Sequence, residues 1–140
     1  MKEQRSATYQ RVWFITGSSA GLGRALTEVV LARGERAVVT ARTPERVRDL
    51  IERYPAQALV LELDVTRRDQ VRSVVREAID RFGHIDVLVN IDGSSEVLSQ
   101  EVGLLGIKVI TVEAANANGH SSDDSAAVAG DIIAAVDADR

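Results

Sequence analysis

Between Val12 and Arg24 the chain reads Val-Trp-Phe-Ile-Thr-Gly-Ser-Ser-Ala-Gly-Leu-Gly-Arg. A short apolar run ends in three spaced glycines and opens directly into a helical pattern. That order of residue types predicts a buried strand, a tight loop and the first turn of a helix. The first turn of a helix carries free N–H groups and a partial positive charge, which suit a pyrophosphate. Glycine lets backbone approach such a ligand with no Cβ in the way. The stretch therefore ties a fold and a candidate anion site to Gly17, Ser19, Gly21, Leu22 and Gly23.

The rest of the chain alternates in the same manner. Val12–Thr16, Ala37–Ala41, Ala58–Leu63, Ile85–Asn90 and Ile107–Val112 read as five strands, the last rich in β-branched residues. Leu22, Ala25, Leu26, Val29 and Val30 recur on one helical face, with Gly34 as a stop. Thr43 is placed to cap a second helix with Pro44 at its first position, and Val47, Leu50 and Ile51 form its inner face. Val71, Val74, Val75, Ala78, Ile79 and Phe82 predict the clearest amphipathic helix. Ser94–Leu105 reads as a weaker helix, Ala114–Asp124 as a loop and Ser125–Asp137 as a last helix. Alternation of this kind implies parallel strands joined by right-handed helical crossovers, an α/β three-layer fold of Rossmann type. With the segment Ser94–Leu105 as a crossover, the expected sheet has about five strands in the order 3-2-1-4-5. No repeat or linker divides the 140 residues, so one domain is expected, with residues 1–10 as a flexible tail.

Bulk properties exclude several functional classes. A net charge of −4 gives no general reason to expect nucleic-acid or membrane binding. There is no cysteine, so thiolate metal sites, disulfides and cysteine nucleophiles are ruled out. Residues 1–11 lack the apolar stretch of a signal peptide, and no apolar run is long enough to span a membrane, so the cytoplasm is the expected location.

In an open parallel sheet ligands collect at the carboxyl ends of the strands. Four such ends carry candidate residues: the glycines after strand one, Arg42 after strand two, Asp64 and Val65 after strand three, and Asn90 at the end of strand four. An acid at the end of strand two would hold the ribose 2′-hydroxyl of NAD. Thr40-Ala41-Arg42 offers a guanidinium instead, which can pair with a 2′-phosphate, so the expected cofactor is NADP (NADPH). Each residue also has a plainer reading. Arg42 can be one solvated charge of an arginine-rich segment with Arg46 and Arg48, Asp64 a turn acid before Thr66, and Asn90 a strand-end turn residue.

Three motifs in register, Thr16–Gly23, Asp64-Val65-Thr66 and Ile85–Asn90, resemble those of the short-chain dehydrogenase/reductase family, over about Arg11–Asn90. The resemblance implies a Rossmann fold and hydride transfer between NADP(H) and a carbonyl or alcohol. It implies also that Asp64 and Val65 contact the adenine and that the Asn90 region lies beside the cofactor.

The pattern then departs. The family's Asn-Asn-Ala-Gly stands here as Asn90-Ile91-Asp92-Gly93. The family's catalytic serine and Tyr-x-x-x-Lys helix have no counterpart: the tyrosines are Tyr9 and Tyr54, followed four positions on by Trp13 and Ala58, and the lysines are Lys2 and Lys108. Leu98–Val102 and Gly106–Ile110 resemble the family's next-to-last helix and following strand, as though a large internal block were absent and the C-terminal part shortened. Deletion, design and divergence would leave the same trace. Asp92 and His120 are the only local titratable candidates to replace the missing acid, and His84 precedes strand four, away from the carboxyl ends. No residue spacing suggests a metal site. The expectation is therefore an NADP(H)-binding oxidoreductase-like chain without the family's catalytic residues, or a non-catalytic dinucleotide module or functionless product. In the family, part of the dimer surface lies in the missing block, so self-association or a complementing chain is a further expectation.

Overall fold

Parallel pairing dominates because each strand is followed by a segment of helical periodicity long enough to cross back over the sheet. The computed structural model describes residues 10–17, 21–91, 96–112 and 122–138. In chain order these form β1 (Val12–Ile15), α1 (Gly21–Ala32), β2 (Arg36–Ala41), a 3-10 turn (Pro44–Val47), α2 (Arg48–Arg53), β3 (Ala58–Glu62), α3 (Arg68–Phe82), β4 (Val87–Ile91), α4 (Glu96–Gly103), β5 (Lys108–Val112) and α5 (Ser122–Ala138). Among the described residues the sheet has five strands in the order β3-β2-β1-β4-β5, all neighbours parallel, as the sequence predicts.

Side-chain alternation along the central strands sorts the core into two layers. Trp13 and Ile15 of β1, with Val87 and Val89 of β4, face α1, α2 and α5, where Leu26, Leu50 and Ile133 are buried. Val12 and Phe14, with Leu88, face α3 and α4, where Val71, Leu98 and Val102 are buried. Central strands covered on both sides read as continuous apolar runs for this reason. The result is the three-layer α/β sandwich.

The boundaries differ from expectation where side chains compete with the ladder. β4 begins at Val87 rather than Ile85, because Asp86 brackets the start of β1 instead: its N–H donates to Val12 O at 2.8 Å and its carboxylate accepts the Val12 N–H at 2.7 Å. β4 also runs one residue further than Asn90, with Ile91 paired to Val112. Thr43 makes no side-chain cap; its extended backbone leads into the 3-10 turn, closed by the Arg46 N–H to Thr43 O at 3.0 Å, before α2 starts at Arg48. α4 starts at Glu96 and ends at Gly103, inside the expected Ser94–Leu105. α5 starts at Ser122 rather than Ser125. Of the expected tail, Gln10 is described, and its side-chain Oε1 accepts from Arg36 Nε at 3.0 Å; residues 1–9 and the loop residues 113–121 lie outside the described set.

At the amino end of the sheet, α5 is tied down by charge. Asp137 accepts from Arg11 at 2.8 Å and from Arg33 at 3.1 Å, while Glu35 accepts the Trp13 indole N–H at 2.6 Å. The Arg11 hydrogen bond, with Arg33 assisting, holds the Asp137 carboxyl below the usual carboxylate range. A depressed folded-state value gives stability that is complete above the unfolded value of about 4 and lost as pH falls through the folded value. Asp137 is 40% exposed, so screening keeps its share below about 1 kcal/mol. Urea unfolding at pH 7 and pH 3 is expected to show a smaller acid loss in Asp137→Asn than in the parent; equal losses would remove Asp137 from the account.

Candidate functional site

The carboxyl end of β1 is fastened to β4 by one threonine. The Thr16 N–H donates to Val89 O at 3.1 Å, and Thr16 Oγ1 accepts the Ile91 N–H at 2.8 Å. The same hydroxyl makes a long 3.5 Å contact to Asn90 Oδ1, and Asn90 Nδ2 reaches Ser99 Oγ of α4 at 3.4 Å. Asn90 is 2% exposed and its side chain bridges β1, β4 and α4 from within.

Above this junction the turn needs glycine at three positions: Gly17, with φ +62, and the two that follow. At Gly23 a Cβ would stand 1.9 Å from the carbonyl oxygen of Gly17, so α1 can start this close to the end of β1 only without a side chain there. At Gly21 the backbone has φ +58, the left-handed region, and a Cβ would meet nothing within 4 Å. One glycine thus serves packing, and the other leaves open space in front of the helix N-terminus. Leu22 packs against the core, while Ser19 lies outside the described residues.

Beside the turn lies a cleft of about 350 Å³, within the range of small-ligand sites. Its floor is Thr16, Gly17 and Thr40, the last donating to Ile15 O at 3.0 Å. Leu63, Val65 and Ile91 give an apolar side, and Arg42, Thr43 and Arg46 a basic one. Among the described residues neither the Arg42 nor the Arg46 side chain sits in an ion pair, and both are exposed.

Of the residues expected from sequence, Gly17, Arg42 and Val65 line this cleft. Gly21 and Gly23 shape the turn next to it. Asn90 lies beneath. Asp64 stands between two lining residues, and its carboxylate accepts from Thr66 N–H at 3.0 Å and Thr66 Oγ1 at 2.6 Å. Those hydrogen bonds, hydroxyl first, hold the Asp64 carboxyl below its ordinary range, with the Arg42 and Arg67 charges adding to them. Asp92 and His120 lie outside the described residues. His84 Nε2 is 3.0 Å from Asp86 Oδ2 at the amino end of β4, the far end from the cleft. Arg46 was legible in principle: a turn opened by Pro44 brings a residue four positions after Arg42 back toward it. Thr16 was legible as the first residue of the glycine motif, whereas Thr40, Leu63 and Ile91 carried no signal of their own.

The arrangement is an anion-receptive turn next to a cleft with one apolar and one basic wall. Among the described residues no group of His, Asp or Glu is placed to hold a metal ion, and no helix is long and apolar enough to cross a membrane.

Known proteins share this architecture and sequence. The oxidoreductase BOA17 of Botryotinia fuckeliana is 38% identical over 92 residues, covering 65% of this chain and 34% of that protein. The 3-oxoacyl-[acyl-carrier-protein] reductase FabG of Salmonella typhimurium is 32% identical over 80 residues, 57% of this chain and 33% of that one. The chain therefore spans about a third of the length of these curated relatives. Among solved structures, a short-chain dehydrogenase from Streptomyces avermitilis superposes with a TM-score of 0.63 at 27% identity, over 74% of this chain and 48% of that one. A 3-ketoacyl-(acyl-carrier-protein) reductase from Brucella melitensis, solved with NADH, gives 0.56 at 26% identity over 59% of this chain and 34% of that one. The sequence pattern of the short chain dehydrogenases matches residues 11–105, so on fold, glycine turn and sequence together the chain belongs to the short-chain dehydrogenase family.

Proposed function

We propose that this chain binds NADP(H), holding the adenosine end in the cleft and the pyrophosphate at the start of α1. The observation that carries the reading is the basic wall: two exposed guanidiniums, Arg42 and Arg46, at the end of β2, where a 2′-phosphate would need them and an acid would reject it. Leu63, Val65 and Ile91 offer apolar contact to a base. The open space at Gly21 leaves room for phosphate oxygens to approach the backbone. Asp64, in this reading, shapes the β3 loop through Thr66 and leaves Val65 as the contact. Asn90 holds the strand ends that carry the turn.

A bound nicotinamide cofactor supplies hydride chemistry with a carbonyl or alcohol. This chain's residues bind and orient it, but nothing described supplies the proton. Tyr54 caps the end of α2 before β3 begins, and Lys108 is the first residue of β5. Both therefore sit at the amino end of the sheet, about 13 Å of strand from the carboxyl end. We infer a cytoplasmic single-domain dinucleotide module whose turnover, if it has any, takes its acid from Asp92, His120 or a complementing chain.

The reading is tested by titrating the chain with NADPH and then offering a panel of aldehydes and ketones. Saturable binding with no NADPH oxidation above the blank is expected. Steady turnover that persists in Asp92→Asn and His120→Gln and in purified monomer would contradict it.

A further inference from the structure

Arg24 is the first cation after the glycine turn, and position alone would make it a phosphate ligand. The geometry points elsewhere. Its Nη1 donates to the backbone carbonyl of Arg46 at 3.2 Å, Nη2 is bonded to Asp49, and Nε donates to Glu28 at 3.1 Å. All three nitrogens are engaged within the protein, two of them on the segment that follows β2. The Asp49 hydrogen bond is the main cause that raises the Arg24 guanidinium above its ordinary value, in keeping with a charge-assisted pair.

The consequence concerns the basic wall. Arg46 lies in the 3-10 turn Pro44–Val47, four residues with Val47 the only one buried, between the cleft and α2. Such a turn has poor hydrogen-bond geometry of its own. Arg46 N–H to Thr43 O and Arg48 N–H to Glu45 O close the turn and buried Val47 anchors it, while the Arg24 bond to Arg46 O ties the Arg46 backbone to the helix that begins at the phosphate-receptive end. We propose that Arg24 is a positioning residue for 2′-phosphate selectivity: it straps the 3-10 turn to α1 so that the Arg46 guanidinium is presented to the cleft next to Arg42. The proposal rests on the NADP(H) reading above and adds a residue that touches no ligand.

Four variants test it: Arg24→Met, Asp49→Asn, Arg46→Met and the Arg24→Met/Arg46→Met double, each titrated calorimetrically with NADPH and with NADH after thermal unfolding has shown it folded. Asp49 is half-exposed and outside the cleft, so its variant relaxes the strap even where Arg24→Met fails to fold. Arg46→Met is expected to weaken NADPH about tenfold, the scale of one charge-assisted hydrogen bond, with NADH nearly unchanged. Arg24→Met is expected to weaken NADPH by about half as much on a logarithmic scale, Asp49→Asn in the same direction, and the double variant no more than Arg46→Met alone. Equal loss on both cofactors, or independent addition in the double variant, would overturn the positioning role. A parent protein without any NADPH preference would instead overturn the NADP(H) reading on which it stands.

Discussion

Alanine at position 23 is expected to lower the melting temperature by about 10 °C, the equivalent of about 3 kcal/mol in a domain of this size. The cause is local. The added methyl would lie 1.9 Å from the Gly17 carbonyl oxygen and 2.6 Å from its carbon, both backbone atoms. No rotamer change relieves that contact; α1 must retreat from the end of β1. The retreat would drag Leu26 and Val30, both fully buried, out of register with Trp13 and Ile15, and well-packed cores resist such shifts. The same shift opens the turn, so cofactor binding is lost with stability. Gly130→Ala on α5 is the matched control: nothing lies within 4 Å of its Cβ position and its backbone is helical, so the change is expected to stabilise by about 0.5–1 kcal/mol. Thermal scans of the two variants check both signs. A Gly23→Ala protein as stable as its parent would mean that α1 does not start so close to β1.

Arg42→Asp carries the second large effect, this time on selectivity. Arg42 lines the cleft at the end of β2 with Arg46 and Thr43. Replacing it removes a charge-assisted partner for a 2′-phosphate and adds a like charge, so NADPH binding is expected to weaken by about a hundredfold. NADH carries no 2′-phosphate, and an acid there can accept from its ribose hydroxyl, so NADH should be unaffected or improved. The substitution lies at an exposed loop position, which keeps the expected stability change within about 0.5 kcal/mol. The ratio of the two dissociation constants is the readout. An unchanged ratio would remove Arg42 from the phosphate contact.

The five strands and their order were legible because the central strands β1, β2 and β4 are buried on both faces and read as apolar runs, and helical periods alternate with the strands. Val71 to Phe82 is the plainest instance, with Val71, Val74, Val75, Ala78 and Phe82 all buried in α3. What sequence patterns missed were competitions between side chains and backbone. Thr43 has the residue type of a helix cap, yet its backbone adopts the extended entry to a 3-10 turn. Asp86 takes the Val12 N–H with its carboxylate and so delays β4. Within the site, the glycines were legible as a group, but their division of labour was not. Packing at Gly23 and open space at Gly21 depend on where the Gly17 carbonyl points, which no spacing rule contains. Arg46 hid in a run of arginines, and nothing in the spacing marked Arg24, whose three nitrogens are engaged within the protein. The burial of Asn90 as a bridge between strand and helix also lay beyond what spacing shows.

The central claim is that the basic wall of the cleft makes this a site for NADP(H). A calorimetric titration of the folded chain with NADPH, and with NADH under identical salt, tests it most directly. Saturable binding at one site per chain, tighter for NADPH by about tenfold or more, is the predicted result. Equal affinity for the two, or no heat from either with a chain shown to be folded, would contradict it.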